Sequence, residues 1–187
     1  DLGALEHSDY TWFDFPQEYA RETMERVLEE LAVEYGNSIL YSSERTRYVI
    51  TRLNRVMSRT VLTLQNQLQK GSFRPEKFEY SFHFADHLSS VNVALSEQER
   101  MHLQGRIDRI DVAEDEEHVY VKIIDYKSGN KKFDLAALYY GLSLQLVVYM
   151  NAALELEKQE HPDKQVVPAA LLYYHVEDPT IESPVEL

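Results

Sequence analysis

The chain has 187 residues, 44% of them hydrophobic, and a formal net charge of −13. That is enough apolar material for one sizeable core. The acidic excess argues against a domain that grips DNA by bulk electrostatics, since phosphate binding leaves a basic footprint. Cysteine is absent, which excludes disulfides and thiolate metal ligands within this chain. No apolar run approaches a membrane span and no signal peptide pattern is present, so a cytoplasmic location without a membrane partner is expected. The chain does not open on Met. It is expected to be one domain cut from a larger protein, with a helical part over 1–72 and its working core over 73–187.

In the first segment Gly3 and His7 stand at a G-x-x-x-H spacing on a predicted helical turn. Trp12, Phe13 and Phe15 are expected to cover a core edge. Pro16 suits the opening of a helix. From Gln17 to Tyr35 the residues Tyr19, Met24, Val27, Leu28 and Leu31 recur at helical spacing, and Gly36-Asn37 stops the run. Ser42 to Lys70 is the longest helix candidate, with Ser43 as N-cap and Gly71 as stop. Its apolar stripe is Val49, Leu53, Val56, Met57, Leu64 and Leu68. Arg45, Arg52, Arg55 and Arg59 fall near one side of it. They are either a phosphate- or partner-facing stripe or an ordinary solvated face, the second being favoured.

After a turn predicted at Pro75, Phe78, Tyr80, Phe82 and Phe84 alternate along a strand. Glu76 and Glu79 on it are expected to face solvent rather than to act as site acids. A connection from Asp86 to Ser96 holds a short strand over Val91 to Leu95. Met101 to Val112 and the run from His118 flank the acidic turn Ala113 to Glu117, which is a hairpin pattern.

The second run ends Ile124-Asp125-Tyr126-Lys127-Ser128-Gly129. Asp125 and Lys127 project to one face and Tyr126 to the other. A hairpin partner brings Asp108 alongside. Asp111 differs from Asp108 in parity, so a regular strand cannot present both to one site. Parity does not choose between them; the G-x-x-D resemblance given below selects Asp108, and Asp111 is then expected to pair with a basic neighbour or solvent. Arg106 shares the parity of Asp108 and either faces phosphate or buttresses the hairpin. Two carboxylates and an ammonium converging at a strand end are costly when buried alone. A divalent cation resolves that cost, and hard oxygen ligands favour Mg²⁺ or Mn²⁺. The plainer reading is an exposed strand-end pair feeding the Ser128-Gly129 turn. Against it, Asp125 and Lys127 continue the parity of the apolar Val119, Val121 and Ile123.

Phe133 to Lys158 reads as a second long helix with Asp134 as N-cap, apolar nearly all round and so buried against the sheet. Leu138, Leu142, Gln145 and Tyr149 share one side. A Gln and a Tyr on a buried stripe need hydrogen-bond partners, which are either site groups and DNA phosphate or one another. Gln165 to Val176 is a last strand, ended by Asp178-Pro179. The order helix, strand, strand, strand, helix, strand is a mixed α/β arrangement around a central hairpin.

The residues Gly105-Arg106-Ile107-Asp108, a hairpin's distance from Asp125-Tyr126-Lys127, resemble the PD-(D/E)xK nuclease signature in its RecB-like form. Gln145 and Tyr149 resemble that group's additional Q-x-x-x-Y motif. The segments LYYGLSLQLVVYM and LLYYHVEDP are similar to the nuclease domain of bacterial helicase–deoxyribonuclease subunits of the AddB type. The resemblance implies a restriction-endonuclease-like core and a metal-dependent deoxyribonuclease. Asp108 and Asp125 would be metal ligands, joined by the Tyr126 backbone carbonyl. His7 would be a further ligand, or else an ordinary surface or core residue. Lys127 would orient or activate the attacking water. Gln145 and Tyr149 would position the DNA strand or support the site. The resemblance also implies Mg²⁺ or Mn²⁺, a single-stranded DNA substrate, and an AddA-type helicase–nuclease partner in double-strand break repair. That type also carries an iron–sulfur cluster held by cysteines flanking the nuclease core; this sequence has none, so either the cysteines lie outside it, which is favoured, or this homologue lacks them. Two other readings stand beside it: a non-catalytic DNA- or partner-binding module, and a RecB-like exonuclease of the CRISPR adaptation type.

Overall fold

The computed structural model describes residues 5, 8–36, 44–83, 94–96, 99–100, 104–128 and 143–176. His7, the caps expected at Ser43 and Asp134, and the first part of the helix expected from Phe133 lie outside these residues, as do Val91, Met101 and Gly129. The chain divides into two compact units. One comprises residues up to Gly71 together with the chain from His175, and the other is Ser72–Tyr174. No described helix is long and apolar enough to cross a membrane.

The first unit contains α1 (Gln17–Gly36) and α2 (Glu44–Leu68). Pro16 precedes α1 and its carbonyl accepts the Ala20 amide at 3.1 Å. Ala20, Met24 and Ala32 of α1 are buried, as are Leu64 and Leu68 of α2. The buried Gln65 donates to the Phe15 carbonyl at 2.8 Å, which satisfies a polar group inside the unit and pins the segment before α1. The apolar stripes are buried only in part, because Leu31, Val49 and Leu53 are exposed.

The second unit is built on a four-stranded sheet of order β1-β4-β5-β6: β1 (Arg74–His83), β4 (Gln104–Glu114), β5 (His118–Ser128) and β6 (Gln165–Val176). Two short strands, β2 (Ala94–Ser96) and β3 (Glu99–Arg100), pair with each other outside it. β4 and β5 form the expected hairpin, in a register that sets Arg109 opposite Ile124 and Val112 opposite Val121. Asp115 builds the turn. Its Oδ1 accepts the amides of Glu117 and His118, and its Oδ2 accepts the Tyr120 hydroxyl. These bonds favour the ionised form and hold the Asp115 carboxyl down at about 2.

The turn expected at Pro75 is instead part of a strand. Pro75 stands opposite Asp111, and β1 tolerates a residue without an N–H because it is a sheet edge. The register of β1 shifts between Pro75 and Lys77, which leaves Glu76 outside the paired positions. β6 runs parallel to β5. The Gln165 amide donates to the Glu117 carbonyl at one end, and Tyr174 packs on Tyr126 toward the other, with ring centroids 5.6 Å apart. The sheet is therefore mixed, as an α/β restriction-endonuclease-like core requires.

α3 (Ser143–Glu160) supplies the helical side of the core. Its Tyr149, Met150, Ala152 and Ala153 pack with Ile110, Val112, Val119, Val121 and Ile123. Five aliphatic side chains buried to completion contribute about 1.5–3 kcal/mol each. α3 is not buried all round as expected, because Gln145 and Val147 are exposed.

Candidate active site

The paired ladder of β4 and β5 ends at Arg109 and Ile124. One residue further, the Asp108 carboxylate takes over the role of a backbone acceptor: its Oδ2 receives the Tyr126 amide at 2.8 Å. Asp108 is thereby fixed beside the Asp125–Tyr126 peptide. Asp125 is 5% exposed, because its parity continues the fully buried row Val119, Val121 and Ile123. Its Oδ2 is in contact with the Lys127 ammonium. Beyond that ion pair, the same buried oxygen has no partner among the described residues. Asp108, Asp125 and Lys127 thus lie together at the strand end, Asp125 buried and Lys127 partly exposed.

Burial pulls the Lys127 ammonium down. The hydrogen-bonding and charge of Asp125, with Tyr173 and Asp108 behind it, outweigh burial and leave the lysine above its ordinary value. Lys127 therefore carries its proton at neutral pH. It also lies over the Tyr173 ring, 5.4 Å from the centroid. The Tyr173 hydroxyl is pushed up by burial, by the Asp125 charge and by Tyr149, against the opposing pull of Lys127. Sequence reasoning gave Tyr173 no role. Its signal was its place in the strand that lands parallel to β5.

Gly105 has a spatial reason. A Cβ there would stand 2.7 Å from Phe82 Cζ and 2.8 Å from Tyr149 Cε1. Phe82 and Tyr149 meet edge to face over it, with centroids 5.6 Å apart. Gln145 Nε2 donates to the Tyr149 hydroxyl at 2.7 Å. The Q-x-x-x-Y pair therefore satisfies itself internally, while Tyr149 lies close enough to influence Tyr173 beside Lys127. Arg106 is exposed and pairs with Glu79 of β1 at 2.7 Å. His7 lies outside the described residues.

Asp111 is separate from the site. It is fully buried and held by Arg109, with a 2.7 Å bond to Nη2, and by Lys122 Nζ at 2.8 Å. Arg109 also donates to the Tyr126 hydroxyl at 3.0 Å. This buried network fixes the side chain of Tyr126 on the face opposite Asp125. Arg45, Arg52, Arg55 and Arg59 are exposed on α2 of the first unit.

Asp108 and Asp125 fit a hard divalent cation, the test being the buried Asp125 oxygen that has no partner among the described residues besides the Lys127 ammonium. A glycine held by close approach, an aspartate three residues on, and Asp-x-Lys on the partner strand define the fold and site class of PD-(D/E)xK nucleases. Residues 6–187 match the model of the PD-(D/E)XK nuclease superfamily. The chain belongs to that superfamily.

The curated relatives agree, and each is the B-type subunit of an ATP-dependent helicase/deoxyribonuclease. The chain is 42% identical over 178 residues to the one from Lachnoclostridium phytofermentans, covering 95% of this chain and 14% of that protein. It is 36% identical over 179 residues to the one from Alkaliphilus oremlandii, covering 96% and 16%. It is 38% identical over 178 residues to the one from Clostridium acetobutylicum, covering 95% and 15%. The chain spans about one seventh of the length of these relatives.

Proposed function

We infer that the chain is the nuclease part of a helicase–deoxyribonuclease subunit. It would hydrolyse phosphodiester bonds of single-stranded DNA, acting as an exonuclease on strands unwound during double-strand break repair. The observation that carries the reading is the meeting of Asp108, Asp125 and Lys127 at the end of the β4–β5 ladder. Asp108 and Asp125 would hold Mg²⁺ or Mn²⁺, joined by the Tyr126 carbonyl, and His7 would be a further ligand. The ion supplies charge relief at the phosphoryl oxygens and lowers the pKa of bound water.

The residues of the chain do the rest. Asp108 is locked by the Tyr126 amide and cannot swing away from the peptide that follows Asp125. Lys127 would orient or activate the attacking water and offset negative charge building on the phosphate. Tyr149, fixed by Gln145 and packed on Phe82, lines the approach beside Tyr173 and supports the position of the strand. The net charge of −13 gives little grip on DNA. A partner of the AddA type would therefore deliver the strand, and the resemblance adds a cytoplasmic setting and an iron–sulfur cluster held outside this cysteine-free chain. The relatives' names support the helicase–deoxyribonuclease context.

The test is cleavage of end-labelled linear single-stranded DNA, circular single-stranded DNA and duplex DNA, with Mg²⁺ or Mn²⁺ and with EDTA. The expected result is metal-dependent shortening of the linear single strand, with the circle spared. Cutting of the circle would overturn the exonuclease mode. Preference for duplex would overturn the substrate, and cleavage in EDTA would overturn the metal requirement.

A further inference from the structure

The far end of α3 carries a second group of ligating side chains. The stripe Gln145, Tyr149, Ala153, Glu157 recurs every four residues, and its last member is a glutamate. Glu157 is fully buried, and among the described residues neither of its carboxylate oxygens has a hydrogen-bond partner. One ligand atom each from Glu76, Glu157, Glu160 and His161 lies within 4.8 Å of the others. His161 Nε2 stands 3.6 Å from Glu157 Oε2.

The backbone holds these residues in place. The His161 amide donates to the Glu157 carbonyl at 2.8 Å and its own carbonyl accepts the Lys164 amide at 3.2 Å. Glu76 enters from the register shift of β1. Lys77 reaches Glu160 at 2.8 Å and Glu76 at 3.4 Å. Its ammonium serves those two carboxylates and gives Glu157 no hydrogen bond. The neighbouring Glu114 is already taken by Arg74 and Lys164.

We propose that Glu76, Glu157, Glu160 and His161 form a second metal site that takes Zn²⁺, separate from Asp108 and Asp125. Three carboxylates and one imidazole are a four-ligand zinc set, and the imidazole disfavours Mg²⁺, which prefers oxygen ligands and water. Ligand atoms around tetrahedral zinc stand roughly 3.3 Å apart, so the side chains close inward on binding. Glu160 is exposed and provides the entry path, and Lys77 has a flexible stem that swings out as the dication replaces it. Without an ion, burial and the charges of Glu76, Glu160 and Glu114 push the Glu157 carboxyl up to about 7 against the pull of Lys77, and the dication would hold it ionised. Glu157 is two helical turns beyond Tyr149, about 12 Å along the axis. The ion is accordingly structural, tying edge strand β1 to the end of α3.

The experiment is calorimetric titration with Zn²⁺ of the chain carrying Asp125→Asn, which disables the first site, and of the same chain with Glu157→Gln or His161→Ala added. The expected result is one Zn²⁺ per chain in the Asp125→Asn background, a Zn²⁺-dependent rise in melting temperature, and at least ten-fold weaker binding in each added variant. Co²⁺ should give visible absorption bands that His161→Ala removes. Should Glu157→Gln fail to fold, His161→Ala carries the test, because that side chain lies at the rim. No Zn²⁺ bound in the Asp125→Asn background, binding unchanged by both added substitutions, or equal stabilisation by Mg²⁺ would each overturn the proposal. Because the first site is disabled throughout, the outcome is independent of whether the chain cleaves DNA.

Discussion

The Asp108 carboxylate accepts the Tyr126 amide at 2.8 Å, at the point where the β4–β5 ladder stops. One side chain thus closes the sheet and places a carboxylate beside Asp125. These two roles can be separated. Asp108→Ala orphans the amide and should cost about 1–3 kcal/mol. Asp108→Asn keeps an acceptor oxygen and should retain most of the stability while losing the charge that holds the cation. Urea denaturation and Mn²⁺ titration of the two variants should therefore diverge: both lose metal affinity, and only the alanine variant loses a large part of its midpoint.

Gly105→Ala inserts a methyl group 2.7 Å from Phe82 Cζ and 2.8 Å from Tyr149 Cε1. Overpacking of this kind costs about 1–3 kcal/mol. Thermal denaturation should show the loss, and adding Phe82→Leu should recover part of it by opening space. An unchanged melting temperature in the single variant would contradict the close packing.

Asp111 has no role in the chemistry but should matter more to folding than Asp108. Asp111→Ala leaves the buried Arg109 without its carboxylate and should destabilise by about 3–5 kcal/mol. In an Arg109→Met background the same change should cost clearly less, and a double-mutant cycle measures the difference.

The hairpin turn gives a pH dependence with a definite sign. The Asp115 carboxyl sits at about 2 in the folded chain, below its ordinary 3.8. Its contribution to stability is fully present above the unfolded value and fades as pH falls from 3.8 towards 2. Asp115→Asn should lower the urea midpoint at about pH 6, and the gap to the parent chain should narrow at about pH 3. A gap that is constant with pH would mean that the charge plays no part.

The order of elements was legible because β4, β5 and the helices carry strong periodicity. Parity put Asp108 and Asp111 on opposite faces and the resemblance to G-x-x-D selected Asp108, and the structure sends the two to different places. The reading of Pro75 as a turn failed because only the sheet order shows that β1 is an edge. Val147 breaks the expected all-round burial of α3, since an apolar helix does not by itself reveal how much of its circumference is covered. The contact of Gly105 with Phe82 and Tyr149 joins three separate elements, so no local pattern encodes it. Glu157 was within reach: it follows Tyr149 and Ala153 at four-residue spacing, and a carboxylate continuing that buried row is a signal. The placement of Tyr173 against Lys127 needed the parallel pairing of β5 and β6, which sequence spacing does not fix.

The central claim is that Asp108, Asp125 and Lys127 form one hydrolytic site. The most direct measurement is the rate of Mg²⁺- or Mn²⁺-dependent cleavage of labelled single-stranded DNA by the parent chain, Asp125→Ala and Lys127→Ala, with circular dichroism confirming that each is folded. The account predicts cleavage by the parent chain and a loss of at least about 100-fold in both variants, the scale of removing a preorganised charge from the transition state. Cleavage that survives both substitutions would contradict it.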